Sequence, residues 1–142
     1  MQHITATQAF SSADSVRDIA LQVMRMSEAI HQALRQHTAA SPSDSKATSA
    51  YALLTEEYAL RARASMLLIE AERLARPDFP VSQADTLATL TQVENRLSQS
   101  SSLDELSELI TGLLLFTSSI ISRNNQVISM LLQNLEQAVA KA

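Results

Sequence analysis

The chain has 142 residues, a formal net charge of −4 and no cysteine, and 46% of its residues are apolar. This length suits one domain with its own core, and the missing cysteines exclude disulfides and thiolate chemistry. With 11 basic and 15 acidic residues, the chain offers no basic surface for nucleic acid or for an anionic membrane. A single glycine and three prolines leave few tight turns, which favours long helices over hairpin-rich β structure.

The first residues are small and polar. We predict that residues 1–11 form a flexible tail ahead of a single helical domain at residues 12–142. No basic segment is followed by an apolar one here, so a general secretory signal is not indicated. A first helix is predicted to begin near Ser12 or Asp14, with apolar residues at the alternating three- and four-residue spacing of a buried helix side. These residues are Val16, Ile19, Val23, Met26, Ile30 and Ala33.

A loop is predicted at residues 37–46, where serine, aspartate and proline cluster. Ser43 or Ser45 can cap a second helix that runs to about Arg76, since Pro77 cannot continue it. Its apolar stripe is interrupted at Glu57. The stripe consists of Ala50, Leu53, Leu60, Ala64, Leu67, Ala71 and Leu74, and Tyr51, Leu54 and Tyr58 add a neighbouring side. The basic residues Arg61, Arg63, Arg73 and Arg76 are expected to pair with Glu56, Glu57, Glu70 and Glu72.

Two capping patterns predict the remaining helices. Ser82 with Asp85 predicts a third helix at about residues 83–98, and Ser102 with Glu105 forms an S-x-x-E capping box for a fourth. The fourth is predicted to run from about Leu103 towards Ala140, a length of ~55 Å at 1.5 Å per residue. The expected fold class is therefore all-α, an up-down bundle of about four helices with a long C-terminal helix.

Residues 109–135, LITGLLLFTSSIISRNNQVISMLLQNL, contain one charged side chain, that of Arg123. This segment is too polar for a membrane span and unusually apolar for a surface helix. Its apolar residues follow two adjacent heptad lines, which make a wide stripe. One line is Leu103, Leu106, Ile110, Leu113, Thr117, Ile120, Asn124, Val127 and Leu131, and the other is Leu114, Ile121, Ile128 and Leu135.

Two interpretations of this stripe remain open. In the first, the fourth helix is the central pillar of the bundle and the other helices cover it. In the second, part of the stripe stays exposed and binds a partner, because a third helix of ~16 residues covers only ~24 Å. The partner-binding residues would then be Leu114, Ile120, Ile121, Asn124, Val127, Ile128, Met130, Leu131 and Leu135. Asn124 either specifies register from within the interface or faces water.

No catalytic signature accompanies this pattern. His3, His31 and His37 lack metal-ligand spacing, and no histidine follows the acidic pairs as a di-iron site requires. Neither a phosphate-binding loop nor a nucleophile elbow is present. We therefore expect a protein that is not an enzyme and uses no metal or cofactor.

The run IISRNNQVISMLLQNL at residues 120–135 resembles the late helix of the export chaperones for flagellar hook-associated proteins, the FlgN type. The shared pattern is I-x-R-N-x-Q-x-[IL]-x-M-L. Here it is carried by Ile121, Arg123, Asn124, Gln126, Ile128, Met130 and Leu131. A looser likeness covers TEEYALRARASMLLIEAERL at residues 55–74.

The resemblance implies a cytoplasmic chaperone that holds a helical segment of an export substrate for a type III or flagellar secretion system. Ile121, Asn124, Ile128, Met130 and Leu131 would contact that segment, helix against helix. The polar N-terminus and missing cysteine also suit an exported structural subunit, such as an inner-rod, needle or filament component. A helical module that self-associates is the third possibility. None of these functions involves nucleic acid or stable membrane insertion.

Overall fold

The computed structural model describes residues 7–40, 45–99 and 102–140, and it confirms an all-α helical bundle. Within these residues the helices follow one another as α1 (Ala13–Ala40), α2 (Ser45–Ile69), α3 (Ala71–Leu74), α4 (Gln83–Gln99), α5 (Leu103–Ser122) and α6 (Asn125–Ala140). The single turn of α3 continues the path of α2. Five longer helices therefore build the fold.

Side-chain hydrogen bonds give the relative directions of these helices. His31 lies against Glu57 and Arg61 donates to Glu28, so α1 and α2 are antiparallel. Gln83 donates to the Ser15 carbonyl and Gln22 donates to Thr91 further along, so α1 and α4 are parallel.

The five helices enclose one core. α1 packs beside α2, α2 beside α5, α5 beside α6, α6 beside α4, and α4 again beside α1. Each helix turns its apolar stripe inwards, as the periodicity predicts. The predicted stripe of the first helix is buried except for the partly exposed Ala33, and that of the second helix is buried throughout.

The predicted long C-terminal helix is wrong, because the chain reverses at Arg123. Arg123 adopts a left-handed conformation with φ of 62°. Its N–H donates to the Ile120 carbonyl at 3.0 Å, and the Asn124 N–H donates to the Ser119 carbonyl at 3.3 Å. This is the hydrogen-bond pattern of a Schellman motif, which ends a helix. α6 then runs back along α5, and both helices turn apolar residues to the same core.

Residues 7–11 are packed, which corrects the predicted flexible tail over that part of the chain. Ala9 and Phe10 are fully buried. The Ala9 N–H donates to the Val81 carbonyl at 2.9 Å, and the Phe10 ring meets Phe79 edge-on with centroids 5.0 Å apart. This segment is held by long-range contacts that local polarity does not reveal. Residues 1–6 lie outside the described residues.

Two further helices, α1 and α2, end at residues other than those predicted. α1 continues to Ala40 where a loop was predicted from residue 37, and the predicted Ser43 cap lies outside the described residues. α2 ends at Ile69, so Arg76 follows the helix instead of closing it. The serine caps predicted for the third and fourth helices are confirmed: Ser82 Oγ accepts from the Asp85 N–H at 3.0 Å, and Ser102 Oγ accepts from the Glu105 N–H at 3.3 Å.

Residues 109–135 were expected to be too polar for a membrane span, but by length and composition α5 is apolar enough to cross a membrane. Within the fold, 44% of its most apolar window is buried. The buried side chains belong to the core between α2 and α6. They are Leu106, Leu109, Ile110, Leu113, Phe116, Thr117, Ser119 and Ile120. A buried core helix can be as long and as apolar as a membrane span, so length and composition do not separate the two.

Candidate protein-binding surface

The structure places four of the predicted partner-binding residues inside the protein's own core. Ile120, Ile128, Leu131 and Leu135 are buried. They face inwards because the reversal at Arg123 lays α6 against α5 and α4. The first interpretation, in which the protein's own helices cover the stripe, therefore holds for these four residues.

The other predicted partner-binding residues are more accessible but do not form one stripe. Leu114, Ile121 and Val127 are partly buried against the core, whereas Met130 and Asn124 are exposed. Asn124 caps α6, because its Oδ1 accepts from the Val127 N–H at 3.2 Å. Of the two roles considered for Asn124, the structure supports the one facing water.

The three large apolar side chains with the highest exposed fractions among the described residues lie on α2. Ile69 is 83% exposed, Tyr51 is 61% exposed and Tyr58 is 60% exposed. Together with Ala62 and Met66 they recur at the spacing that places residues on one side of a helix. We refer to Tyr51, Tyr58, Ala62, Met66 and Ile69 as the α2 face.

The α2 face carries no charge. The described side chains of α2 that are exposed are Ser49, Tyr51, Ala52, Thr55, Tyr58, Ala62, Met66 and Ile69. The exposed side of α1, by contrast, includes Asp14, Asp18, Arg25 and Glu28. Exposed apolar surface in continuous stretches is unusual in soluble proteins and is typical of a binding site.

A groove runs between α2 and α5 beside this face. It has a volume of about 380 Å³ and is lined by Ala62, Arg63, Met66, Ser118 and Ile121. Arg63 Nε donates to Ser118 Oγ at 2.6 Å, a contact that joins the two helices where both residues line the groove. Leu115, one turn before Ser118, is also exposed. The groove is therefore mostly apolar, with one guanidinium inside it.

One flank of α2 is joined to α1 by hydrogen bonds and an ion pair. The fully buried Glu57 lies 2.9 Å from His31 Nδ1, and Arg61 donates to both Glu57 and Glu28. The hydrogen bond to Glu57 raises the pKa of Arg61. The hydrogen bond from Gln32, followed by that from Arg61, lowers the pKa of Glu28. These contacts fix how α2 lies against α1.

A second, polar cavity lies where α5 ends. It is lined by Arg76, Asp78, Arg123 and Asn125. Arg76 is 4% exposed and donates from Nη2 to the Ile120 carbonyl at 3.1 Å and from Nη1 to Asn125 Oδ1 at 2.7 Å. Burial lowers the pKa of Arg76, and the nearby charge of Arg123 lowers it further, while Asp78 opposes both effects. Arg76 thus holds the end of α5 to the start of α6.

Sequence periodicity did not identify the α2 face. The periodicity predicts only that Tyr51, Leu54 and Tyr58 lie on a side neighbouring the buried stripe. The available signal was composition, because nine of the twelve residues from Tyr58 to Ile69 are apolar. A helix in a ring of five has only two neighbours, so such a helix must leave some apolar residues exposed.

Within the described residues, no group of three or more His, Asp or Glu side chains is arranged to hold a metal ion. No family model, no curated protein and no solved structure matches this chain.

Proposed function

We propose that this protein is a helical binding module, a chaperone or adaptor that holds an amphipathic helix of another protein along the α2 face and its groove. The observation that carries the proposal is the uncharged exposed side of α2 beside an apolar groove between two packed helices. A partner helix laid against two neighbouring helices buries its apolar stripe in the groove-and-stripe mode of recognition. Burying one large aliphatic side chain contributes roughly 1.5–3 kcal/mol.

A charge placed on the α2 face tests this binding site. We expect Ile69→Glu to abolish capture of the partner, because the carboxylate loses its water where the partner packs. Leu21→Glu is the matched control, since Leu21 is an exposed apolar residue of α1 and is not part of the α2 face. Tagged wild-type, Ile69→Glu and Leu21→Glu proteins are expressed in the native host, and the proteins that co-purify are identified by mass spectrometry.

The partner is then purified and its helical segment titrated against each variant by calorimetry. We expect wild type and Leu21→Glu to bind alike and Ile69→Glu to bind at least tenfold more weakly. Equal binding by all three proteins contradicts the proposed site. Met130→Glu checks the sequence prediction that α6 contributes, because Met130 is 51% exposed.

The likeness of residues 120–135 to flagellar export chaperones supports a role in a type III or flagellar secretion system, in the cytoplasm. In this chain the likeness spans the α5–α6 turn, so it does not correspond to one continuous helix. If the role is export, deleting the gene lowers the amount of the partner in the culture supernatant and leaves its synthesis unchanged. Unchanged secretion removes the export role and leaves helix binding intact.

Self-association is the competing use of the same face, because an uncharged apolar surface does not repel a second copy. Size-exclusion chromatography with light scattering distinguishes the two. A monomeric protein at micromolar concentration supports the adaptor. A dimer that Ile69→Glu dissociates and Leu21→Glu does not assigns the face to self-assembly, as an exported structural subunit or an oligomerisation module requires.

A further inference from the structure

The polar cavity at the end of α5 is lined by two arginines whose charges are not paired. Arg76 and Arg123 have no carboxylate within 4.0 Å among the residues that the structure describes. Asp78, the acidic residue in the lining, accepts instead from the side-chain amide of Asn125 at 3.2 Å. The pairing predicted for Arg76, like that for Arg63, is therefore not formed.

Positive charge exceeds negative charge in this cavity. Two guanidiniums and one carboxylate line it, and Asn125 begins α6, whose N-terminal end carries a partial positive charge. Burial is the largest cause that lowers the pKa of Arg76, and the charge of Arg123 is the next. Asp78 raises that pKa, but its effect is smaller than that of Arg123. The charges around Arg76 therefore oppose its own charge, and an anion in the cavity would relieve this repulsion.

Arg76 is held in place and still has hydrogen-bond donors to offer. Nε donates to the Leu74 carbonyl at 3.3 Å, and each terminal nitrogen makes one bond, Nη2 to the Ile120 carbonyl and Nη1 to Asn125 Oδ1. A guanidinium has five N–H groups, so one N–H on each terminal nitrogen has no acceptor among the described residues. A carboxylate oxygen in the cavity would accept from them, in a charge-assisted hydrogen bond.

A second depression continues from the cavity along one side of α6, and we refer to it as the α6 groove. It shares Asp78 and Asn125 with the cavity, has a volume of about 490 Å³ and is mostly apolar at its surface. Its other lining residues are Pro80, Gln126, Ser129, Met130 and Gln133. Met130 is 51% exposed, so an aliphatic side chain that packed on it would bury apolar surface on both partners.

We propose that the cavity and the α6 groove together bind a peptide, whose carboxylate lies beside Arg76 and Arg123 and whose neighbouring aliphatic side chain packs on Met130. A chain terminus and an acidic residue both supply this chemistry when an aliphatic residue adjoins them. The cavity and the α6 groove share no lining residue with the α2 face or with the groove between α2 and α5. The inference therefore does not depend on the proposed helix-binding function.

Short peptides test the proposal without knowledge of the natural partner. Acetyl-dileucine with a free carboxylate, its uncharged amide and acetyl-diglycine are titrated into the isotope-labelled full chain, in a buffer that contains no phosphate. Nuclear magnetic resonance follows the backbone signals of Asn125, Gln126 and Met130 and the side-chain Nε–H signal of Arg123. We expect acetyl-dileucine to bind about tenfold more tightly than its amide, because the amide cannot replace the charge-assisted hydrogen bonds. Acetyl-diglycine should also bind more weakly, since it buries no aliphatic side chain.

Two substitutions in the cavity should change the affinity in opposite directions. Arg123→Gln is expected to weaken the binding of acetyl-dileucine about threefold to fivefold, because one guanidinium is lost. Asp78→Asn should tighten it about twofold to fivefold, since the competing carboxylate is removed while an oxygen remains to accept from Asn125. Arg17→Gln is the control, because Arg17 is paired with Asp14, does not line the cavity and should bind as wild type does. Melting curves confirm that each variant is folded.

The aliphatic contact has its own test. Met130→Ala should weaken the binding of acetyl-dileucine and leave that of acetyl-diglycine unchanged, because only the leucine side chains pack on Met130. Acetyl-leucyl-aspartyl amide carries its carboxylate on a side chain instead of at the chain end. If it binds more tightly than acetyl-dileucine, the carboxylate belongs to an internal acidic residue, and if more weakly, to a chain terminus; either order supports the proposal.

Three results would overturn the carboxylate site: no binding of acetyl-dileucine, equal binding of the acid and its amide, or an Arg123→Gln protein that binds as wild type does. Inorganic phosphate that moves the same signals at lower concentration than acetyl-dileucine assigns the cavity to phosphate and also overturns the peptide. Ile69→Glu should leave all of these affinities unchanged, because Ile69 lies on the α2 face. Failure of this site therefore leaves the helix-binding function standing, and failure of helix binding leaves this site standing.

Discussion

Gly112 lies at a close contact between α5 and α6. A Cβ atom built there would lie 2.8 Å from Leu135 Cδ2, inside ordinary van der Waals contact. Leu135 is buried, so its side chain has little room to move away. A glycine costs roughly 1 kcal/mol in a helix interior, and here it leaves room for the Leu135 side chain.

We predict that Gly112→Val lowers the free energy of unfolding by about 1–3 kcal/mol, because the branched side chain overpacks the α5–α6 contact. Gly112→Ala should stay within about 1 kcal/mol of wild type, since the gain in helix propensity offsets the smaller clash. Urea denaturation followed by circular dichroism measures both. The control is Thr111→Val, which places the same side chain at the exposed neighbouring position. A Gly112→Val protein as stable as Thr111→Val contradicts the close contact.

The α5–α6 hairpin depends on a turn that contains neither glycine nor proline. Arginine occupies the left-handed position where glycine is usual, and Asn124 caps the next helix. Periodicity could not reveal this break, because apolar residues on both sides of the turn face the same core and keep their spacing. The two asparagines after Arg123 were the available signal for a new helix start, since asparagine is a preferred N-cap residue.

We predict that Asn124→Ala lowers the free energy of unfolding by about 1 kcal/mol, because the Val127 N–H loses its acceptor. Asn124→Asp should be close to neutral, because a carboxylate caps equally well and suits the positive end of α6. Thermal and urea denaturation measure both substitutions. The cap assignment fails if alanine and aspartate destabilise the protein equally.

At the scale of the whole molecule, the sequence predicted the fold class, both serine caps and the inward sides of α1 and α2. These features depend on residues within a few turns of one another. The docking of residues 7–11, the reversal at Arg123 and the exposure of the α2 face depend on which helices become neighbours. That information lies in contacts between distant parts of the chain, such as Phe10 with Phe79, and local patterns do not contain it.

We predict that Phe10→Ala costs about 3–5 kcal/mol of stability, as expected for a buried aromatic side chain. Phe10 packs on Phe79, and its N–H donates to Gln83 Oε1 at 3.3 Å, so the loss is felt at the start of α4. Thr7→Ala, at an exposed position of the same segment, should change stability by less than about 0.5 kcal/mol. Chemical denaturation compares the two, and a small loss for Phe10→Ala means that the segment is dispensable.

The docking of residues 7–11 also has a kinetic consequence. Phe10 and Gln83 are separated by 73 residues, whereas α5 and α6 adjoin in sequence and pair through a short turn. Closing a long stretch of chain costs more entropy than closing a short one, so we expect the hairpin to form early and the N-terminal segment to dock last. The amide protons of Ala9 and Gln83 should accordingly exchange with solvent sooner than those in the middle of α5, through local openings that leave the bundle intact.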